Sequence, residues 1–328
     1  MTYSLLIQNR QTGQIWDAAN LTESATFTTK RTGSPGTFQF TLVDKNKLSF
    51  SEGDPVQFAV DGTPVFYGYV FSRSVDRWGV MEVTCYDQLR YLKANASYAF
   101  YGATAGDIIR QIGEDFQLQI GTLADTGYAL PSYIKEDQTC LDIINGAVQQ
   151  TLLNTGQMYV FYDNAGLLTL TPVTSMISTA VLGNESLLTD YKYQVDIDSQ
   201  TYNQIKLLRP NQETGRMESY VFNNSNTIGQ WGLLQYSAQV DENLNPAQIE
   251  AQAQAMLEFY DVPYVTFSAE SLGVVGLRAG QMLYLNIPDQ SLGQFVLLEQ
   301  VTHTFEQNLH TMKVETLSLT QYAPNAPE

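Results

Sequence analysis

The side chains that could do acid–base or metal chemistry are few in this sequence. His303 and His310 are its two histidines, so a histidine-based catalytic triad or a multi-histidine metal site is nearly excluded. They flank a predicted turn around Gln307 and Asn308 and could face each other across a hairpin. Because neither a cysteine nor a carboxylate cluster accompanies them, we interpret both as structural residues.

Pairs of carboxylates are the second candidate, because glycoside cleavage requires only two of them, about 5 to 9.5 Å apart. The candidate pairs are Glu114 with Asp115, Glu136 with Asp137, and Asp196 with Asp198. The first lies at the end of a predicted helix and the second just before one, which favours capping and surface charge. The third resembles the start of a calcium loop but lacks the following Asp/Asn-Gly and the distal Glu. A hydrolase is therefore the less favoured interpretation.

Sequence motifs for phosphate, acyl-transfer or zinc chemistry do not occur. There is no GxxxxGK[ST], no GxSxG and no HExxH. Cys85 and Cys140 lie in a predicted strand and a predicted helix, and their spacing suits neither a metal site nor a redox pair, so we expect two small buried hydrophobic residues. We therefore predict no catalytic residue, no metal site and no cofactor.

Charge and composition limit the class of protein further. The chain has 34 acidic and 17 basic residues, a net charge of −17 at pH 7, which opposes binding to a phosphate backbone. Its 328 residues, 44% of them apolar, predict two or three folded domains. The first residues lack the basic n-region of a signal peptide, and no stretch approaches the roughly 18 apolar residues of a membrane span. We expect synthesis in the cytoplasm and no membrane insertion.

Short apolar and β-branched segments between Gly, Asp and Pro residues predict strands in the first 92 residues, typical of a small barrel or sandwich. They are residues 4–8, 25–29, 36–43, 56–60, 65–73 and 80–86. Three helices are predicted from capping residues followed by an apolar stripe, beginning after Thr104, Thr139 and Asn245. Residues 158–171 predict a hairpin, residues 121–137 a connecting loop, and residues 223–229 a turn.

Residues 53–85 and 280–316 look like the same short β-unit written twice. Each begins with a glycine-led strand, continues through a short turn that contains Asp, and adds two further apolar strands. A duplicated unit would let one subunit present two equivalent faces. Val70 and Val296 lie on the second strand of each unit and are our candidate assembly positions, where charged substitutions should impair folding or assembly.

The predicted fold is mainly β with an α/β insert, an α+β class with two small related β-barrel domains. Residues 1–92 form the first barrel and residues 93–184 the α/β middle domain. Residues 185–328 form the second barrel, with a helix at 246–260 and a loose tail from Tyr322 onward.

Aromatic residues are abundant, with 20 Tyr and 15 Phe. On strands such residues usually form core or cross-strand pairs, although a surplus of Tyr also suits protein interfaces or sugar-stacking surfaces. They concentrate at Phe66, Tyr67, Tyr69, Phe71, Tyr86, Tyr91, Tyr98, Phe100 and Tyr101.

Four segments carry a resemblance to a known family. Residues 62–68, 85–92, 136–144 and 159–163 resemble, in this order, the XkdQ/YqbQ-type tail proteins of contractile phages and defective prophages. The segment from Tyr86 to Tyr91, YDQLRY, is the most specific, and the resemblance spans nearly the whole chain.

This resemblance implies a baseplate hub, a homotrimer whose two similar barrels per subunit form a pseudo-sixfold ring that joins the sixfold tail tube to the threefold central spike. It implies a place in the tail baseplate of a virion or phage-like particle, with the tail tube protein, the spike protein and other baseplate proteins as partners. DNA would pass through the ring without specific binding, and we expect a net negative lumen. The family has no catalytic residues to carry over, so we expect no enzyme. The alternative is a tail-associated protein that binds or lyses cell-wall carbohydrate.

Overall fold

The computed structural model describes residues 1–43, 48–184, 186–211, 215–242, 244–306 and 309–320. Among these residues 51% lie in strands and 21% in helices, which confirms the mainly β prediction. Two compact units are present: residues 1–191 with 269–315, and residues 192–268 with the described residues from 316 to 320. The boundaries of these two units differ from those of the three predicted domains. The domain boundaries stay a prediction.

Strands follow one another through the first region, as predicted, with one additional short strand. They are β1 (Tyr3–Gln8), β2 (Ile15–Asp17), β3 (Thr22–Lys30), β4 (Thr37–Val43), β5 (Pro55–Val60), β6 (Thr63–Val75) and β7 (Val80–Tyr86), with 3₁₀ turns at Ala19–Leu21 and Gln88–Lys93.

The middle region contains two helices among short strands. Its elements are β8 (Asn95–Phe100), β9 (Ala103–Thr104), α1 (Ala105–Asp115), β10 (Ile120–Leu123), β11 (Ala129–Leu130), β12 (Tyr133–Thr139), α2 (Cys140–Thr155), β13 (Tyr159–Asp163), β14 (Leu168–Pro172), a 3₁₀ turn at Val173–Ser175, and β15 (Ile177–Gly183).

The remaining elements follow the chain into the second unit, from residue 192 to 268, and then back into the first. They are β16 (Leu188–Asp196), β17 (Gln204–Asn211), β18 (Arg216–Asn223), α3 (Ser225–Trp231), β19 (Gln235–Gln239), α4 (Pro246–Tyr260), β20 (Tyr264–Leu272), β21 (Met282–Ile287), a 3₁₀ turn at Pro288–Gln290, β22 (Leu292–Glu306) and β23 (Leu309–Thr316). The predicted turn at 307–308 and the predicted tail from Tyr322 onward lie outside the described residues.

Strands β8 to β14 form three small sheets. The other strands of the first unit share one large sheet. Its order is β23-β22-β3-β4-β7-β6-β5-β1-β2, and β21 pairs with both β22 and β15. The strand order of the described residues does not close into a barrel, so the two predicted barrels are not confirmed. Thr304 of β22 pairs with Thr26 of β3, which places a strand from the end of the chain next to one from its beginning.

The two similar β-units predicted from the sequence have the same strand order. In the first, the middle strand β6 pairs with β5 before it and with β7 after it. In the second, β22 pairs with β21 before it and lies next to β23 after it. Both middle strands are long, with 13 and 15 residues.

The core beneath the large sheet is built mainly from phenylalanines of alternate strand positions. Phe38 packs against Phe58 and Phe66, with ring centroids 4.9 and 5.0 Å apart. Phe305 of β22 enters the same core, 4.9 Å from Phe58 in an edge-to-face arrangement. This contact buries a residue of the second β-unit in the core of the first.

The three predicted helices begin directly after their predicted capping residues. The Thr104 hydroxyl accepts a hydrogen bond from the Asp107 amide, and the Asp107 carboxylate accepts one from the Thr104 amide, so α1 has a complete capping box. Asn245 and Gln248 form a second capping box at α4, and Thr139 caps α2 through its side-chain oxygen alone. The buried faces of α1 and α2 meet over a separate core that contains Ile108, Ile112 and Ile144.

The second unit contains a three-stranded sheet, in the order β18-β17-β19. Ile205 and Leu207 of β17 pack with Ile249 and Ala253 of α4 in its core. Glu218 accepts hydrogen bonds from Asn211, Arg209 and Tyr220, and these lower the pKa of Glu218 to about 2.

Two predictions of irregular structure were wrong. Residues 121–137 were predicted as a loop, but they include β11 and most of β12, which pairs with β8. Apart from Tyr133, β12 is not buried, so it has no apolar alternation by which to recognise a strand. Residues 223–229 were predicted as a turn, but Ser225–Trp231 is a helix whose N-cap is Asn224. Asn and Ser favour both turns and caps.

Gly68, from the family-like segment 62–68, permits a close strand approach. A Cβ added there would lie 2.2 Å from the Tyr86 carbonyl oxygen and 2.4 Å from the Phe66 ring. We expect Gly68→Ala to lower the free energy of unfolding by about 2 kcal/mol, because the strand must move away. Gly293→Ala is the matched control, since the nearest atom to its Cβ is the Tyr284 hydroxyl at 3.6 Å. Equal urea midpoints for both variants would contradict this explanation.

Candidate functional site

The carboxylate pairs considered for catalysis have structural partners. Asp115, at the end of α1, accepts a hydrogen bond from the Tyr98 hydroxyl at 2.9 Å. Asp137 accepts one from Asn95 at 3.1 Å, just before α2. Asp196 accepts hydrogen bonds from the amides of Asp198 and Ser199, which closes a turn after β16 and lowers the pKa of Asp196. One carboxylate of each pair therefore accepts a hydrogen bond within the fold, and that of Asp196 closes a turn.

One cavity lies beside Tyr3, Phe58 and Phe305. It has a volume of about 320 Å³, and Glu23 is the carboxyl residue in its lining. In the part of the chain that the structure describes, no three His, Cys, Asp or Glu side chains are grouped as metal ligands. None of the described helices combines the length and the apolar character needed to cross a membrane.

The two histidines face each other, as the sequence allowed. His303 Nε2 is 2.7 Å from the Leu277 carbonyl oxygen and therefore donates to it, so His303 Nδ1 accepts from His310 Nε2 at 2.9 Å. Both rings are neutral in this arrangement. Burial lowers the pKa of His303, and burial together with His303 lowers the pKa of His310 to about 4. The pair is a structural contact between β22 and β23.

The cysteines are buried as predicted. Cys85 lies in β7 and Cys140 is the first residue of α2, and neither forms a disulfide. Burial raises the pKa of both thiols, so they are protonated near neutral pH.

The most unusual chemistry of the first unit is a buried polar network of Asp87, Gln88, Asp163 and Arg278. Asp87 follows β7, and both of its carboxylate oxygens accept backbone hydrogen bonds: Oδ2 from Gly36 at 2.7 Å and Oδ1 from Leu89 at 3.0 Å. A Cβ at Gly36 would lie 2.5 Å from Asp87 Oδ2, so this contact requires glycine.

The hairpin of β13 and β14 contributes the second carboxylate. Asp163 Oδ1 accepts from the Gly166 amide at 2.6 Å, and Oδ2 accepts from Gln88 Nε2 at 3.1 Å. Gln88 also accepts from the Gln119 amide at 2.8 Å. The Gln88 side chain therefore ties the end of β7 to two separate parts of the insert.

Arg278 supplies the positive charge of the network. Its Nη1 donates to the Asp163 carbonyl oxygen at 2.9 Å, and its guanidinium lies 3.8 Å from the centroid of the Tyr162 ring. Burial lowers the pKa of Arg278, and burial raises the pKa of Asp163. Burial, with Asp163 nearby, raises the pKa of Asp87 well above its ordinary value. One cation near two carboxyl groups offsets only part of the cost of burying them.

Two of the family-like segments meet in this network. Asp87 and Gln88 come from the segment YDQLRY and Asp163 ends the segment 159–163, and Gln88 of the most specific segment donates a hydrogen bond to Asp163 of the other. Sequence reasoning missed Arg278, because it lies 115 residues beyond Asp163 and no spacing marks it.

The other half of YDQLRY lies at the surface. Tyr86, Arg90 and Tyr91 are only partly buried or exposed. They join aromatic side chains of β6 in a set that we call the aromatic surface: Arg10, Tyr67, Tyr69, Phe71, Tyr86, Arg90 and Tyr91. Its rings touch in the series 67-69-91-71-86, with centroid separations from 5.3 to 5.8 Å. Burial raises the pKa of Tyr69 to about 12.

The two candidate assembly positions are interior. Val70 on β6 and Val296 on β22 are each 1% exposed. A charged substitution at either position would act on the core first, and any role of their strands in assembly stays a prediction.

Known proteins share the fold of this chain, and two of them are similar to it in sequence. Over 96% of its length the chain has the fold of the 43 kDa tail protein of prophage MuSo2 from Shewanella oneidensis, covering 98% of that protein, with a TM-score of 0.72 at 12% identity. Two proteins of Bacillus subtilis (strain 168) are 30% identical to it: the uncharacterized protein YqbQ over 305 residues and the phage-like element PBSX protein XkdQ over 302 residues. Each alignment covers 90% of this chain and 92% of the relative.

The YQBQ-like family model matches residues 25–317. The chain belongs to the YQBQ-like family, which confirms the resemblance seen in the four segments.

Asp87→Asn should destabilise the first unit by about 2 kcal/mol. Both oxygens of Asp87 accept hydrogen bonds from backbone amides. The side-chain NH2 group of the asparagine must therefore face one of these N–H donors, whichever way the amide is turned. Asp125→Asn is the control, because Asp125 is exposed and an asparagine oxygen can still accept from Gly127. Urea unfolding followed by circular dichroism measures both, and a loss no larger than that of the control would contradict the role of the network.

The histidine pair predicts acid sensitivity. Because the folded pKa values lie below the usual 6.5, the unfolded chain binds protons first, and stability falls as the pH drops from about 6.5 towards 4. The loss is at most about 1.4 kcal/mol per pH unit for each histidine. His310→Gln removes one of the two groups, so its unfolding free energy should fall less steeply over this range than that of the natural chain. Unfolding free energies that fall equally steeply with pH in the variant and the natural chain would show that the pair does not titrate in this way.

Proposed function

We propose that this chain is a structural protein of a contractile phage-type tail and that it acts as the baseplate hub. In this role a homotrimeric ring joins the sixfold tail tube to the threefold central spike. Family membership supports the proposal, since one relative is a protein of the phage-like element PBSX. The fold shared with a prophage tail protein supports it independently.

The repeated β-unit is the observation that carries the hub role. The strands β5-β6-β7 and β21-β22-β23 have the same order, as duplication requires. Three copies of a chain with two such units present six similar elements around a threefold axis. That arrangement matches a threefold partner on one side and a sixfold partner on the other. The finer proposal is that each unit belongs to one of two related barrel domains.

The partners follow from the same role. They are the tail tube protein, the central spike protein and other baseplate proteins, and the place of the chain is the baseplate of a virion or phage-like particle. The strands of Val70 and Val296 would border the contacts. A net charge of −17 suits a channel that lets DNA pass without holding it, so we propose a net negative lumen.

A non-enzymatic role is part of the proposal. One carboxylate of each candidate pair accepts a hydrogen bond within the fold, and the histidines pair with each other. The carboxylates of the buried polar network accept hydrogen bonds from backbone amides. These contacts leave the candidate groups engaged in the fold rather than aimed at a substrate.

The number of copies per particle tests the hub role. Particles purified from the source strain, digested and quantified by mass spectrometry against labelled peptides, should contain three copies of this chain for each tail. The trimeric ring requires this ratio, whereas a tube protein would be present in many more copies. A count that is not three, or absence from particles that are otherwise complete, would contradict the hub role.

A further inference from the structure

The aromatic surface has the composition of a protein-binding surface. Tyr, Phe and Arg are enriched where protein interfaces bury their central residues. Tyr91 is 36% exposed, and the other four rings are partly buried. Tyr67 packs on the hairpin glycine Gly166, where a Cβ would lie 2.7 Å from its ring. The surface is thus held in place before any partner arrives, which lowers the entropy cost of binding.

The geometry of the rings disfavours stacking ligands. The guanidinium of Arg10 lies 4.9 Å from the centroid of Tyr69, and that of Arg90 lies 5.3 Å from the centroid of Phe71. Neighbouring rings meet mostly edge to face, at interplanar angles of 65 to 77° in three of the contacts. Sugars and nucleobases need an open ring face. These two faces are already covered.

The charge of the surface indicates the partner. Among the described residues neither guanidinium forms an ion pair, although Arg10 is held through its backbone amide by Asp54 at 2.9 Å. Arginine in such a position binds carboxylates with two hydrogen bonds. The chain itself carries 34 acidic residues against 17 basic ones, so the surface of a second copy is acidic on balance and its carboxylates can pair with these two cations.

We propose that the aromatic surface binds the acidic surface of a second copy of this chain. The contact joins two different faces of the same protein, and such head-to-tail contacts close into rings when the rotation fits. This inference deepens the proposed hub role and rests on it, because it assigns the surface through which the copies of the ring meet.

Site-specific photo-crosslinking tests the assignment on the full-length chain. A benzophenone amino acid in place of Tyr91 should crosslink to a second copy, and the crosslinked peptides should be rich in Asp and Glu. The same group in place of Trp78 is the control, since Trp78 is 62% exposed, lies under Arg77 at 4.1 Å and is outside the surface. Equal crosslinking from both positions, or crosslinks from Tyr91 to no second copy, would overturn the proposal.

Charge reversal provides the second measurement. Arg10→Glu with Arg90→Glu should weaken self-association, measured by analytical ultracentrifugation over a concentration series, by about tenfold or more. Arg77→Glu makes the same kind of change beside another aromatic ring and should have little effect. Far-UV circular dichroism checks that each variant folds. A folded double variant that associates as the natural chain does, or a natural chain that stays monomeric throughout, overturns the proposal.

The proposed binding surface and the hub role can be rejected independently of each other. Three copies per particle with no crosslink from Tyr91 would leave the hub role standing and reject this surface. Crosslinks to another tail protein, or to a nucleic acid, would assign the surface to that partner and reject the second copy.

Discussion

The burial of two carboxyl groups beside one arginine is the constraint on which the first unit depends. Asp87 and Asp163 are taken from water, and Arg278 alone does not compensate for that cost. Further hydrogen bonds come from backbone amides, two to Asp87 and one to Asp163, and from the Gln88 side chain to Asp163. These donors come from distant parts of the chain, so the network exists only when those parts are folded together.

This constraint explains why one short segment of the sequence, YDQLRY, is so specific. In YDQLRY, the inward residues Asp87 and Gln88 serve the network, and the outward residues Arg90 and Tyr91 belong to the aromatic surface. One short turn after β7 therefore supplies residues to both the buried polar network and the aromatic surface. A segment that is specific because it joins a core to a surface resembles an active-site motif in sequence, although its chemistry is structural.

Sequence reasoning succeeded where the determinants are local. Thr104 and Asn245 mark helix starts because a cap acts within three residues. It failed at β12, whose pairing with β8 is made through the backbone while its side chains are mostly exposed. The buried polar network could not be predicted, since Gly36, Asp163 and Arg278 share no spacing, and only the folded chain brings them together. The long-range pairing of β22 with β3 was missed for the same reason.

The sequence predicted the strands of each repeated unit in their order. It did not predict which other strands those units pair with. Period-two patterns identify strands and their faces. They do not say which strand lies next to which, and here β22 joins the sheet that begins the chain rather than a sheet of its own.

Amide hydrogen exchange tests most directly the claim that the network holds three distant parts of the chain in one unit. The amides of Gly36, Leu89 and Gly166 donate to its carboxylates, so under conditions near pH 7 they should exchange together, with one free energy equal to that of global unfolding of the first unit. Asp87→Asn should speed all three. Exchange of Gly166 by a separate, much easier opening of its hairpin, with Gly36 and Leu89 still protected, would contradict the account.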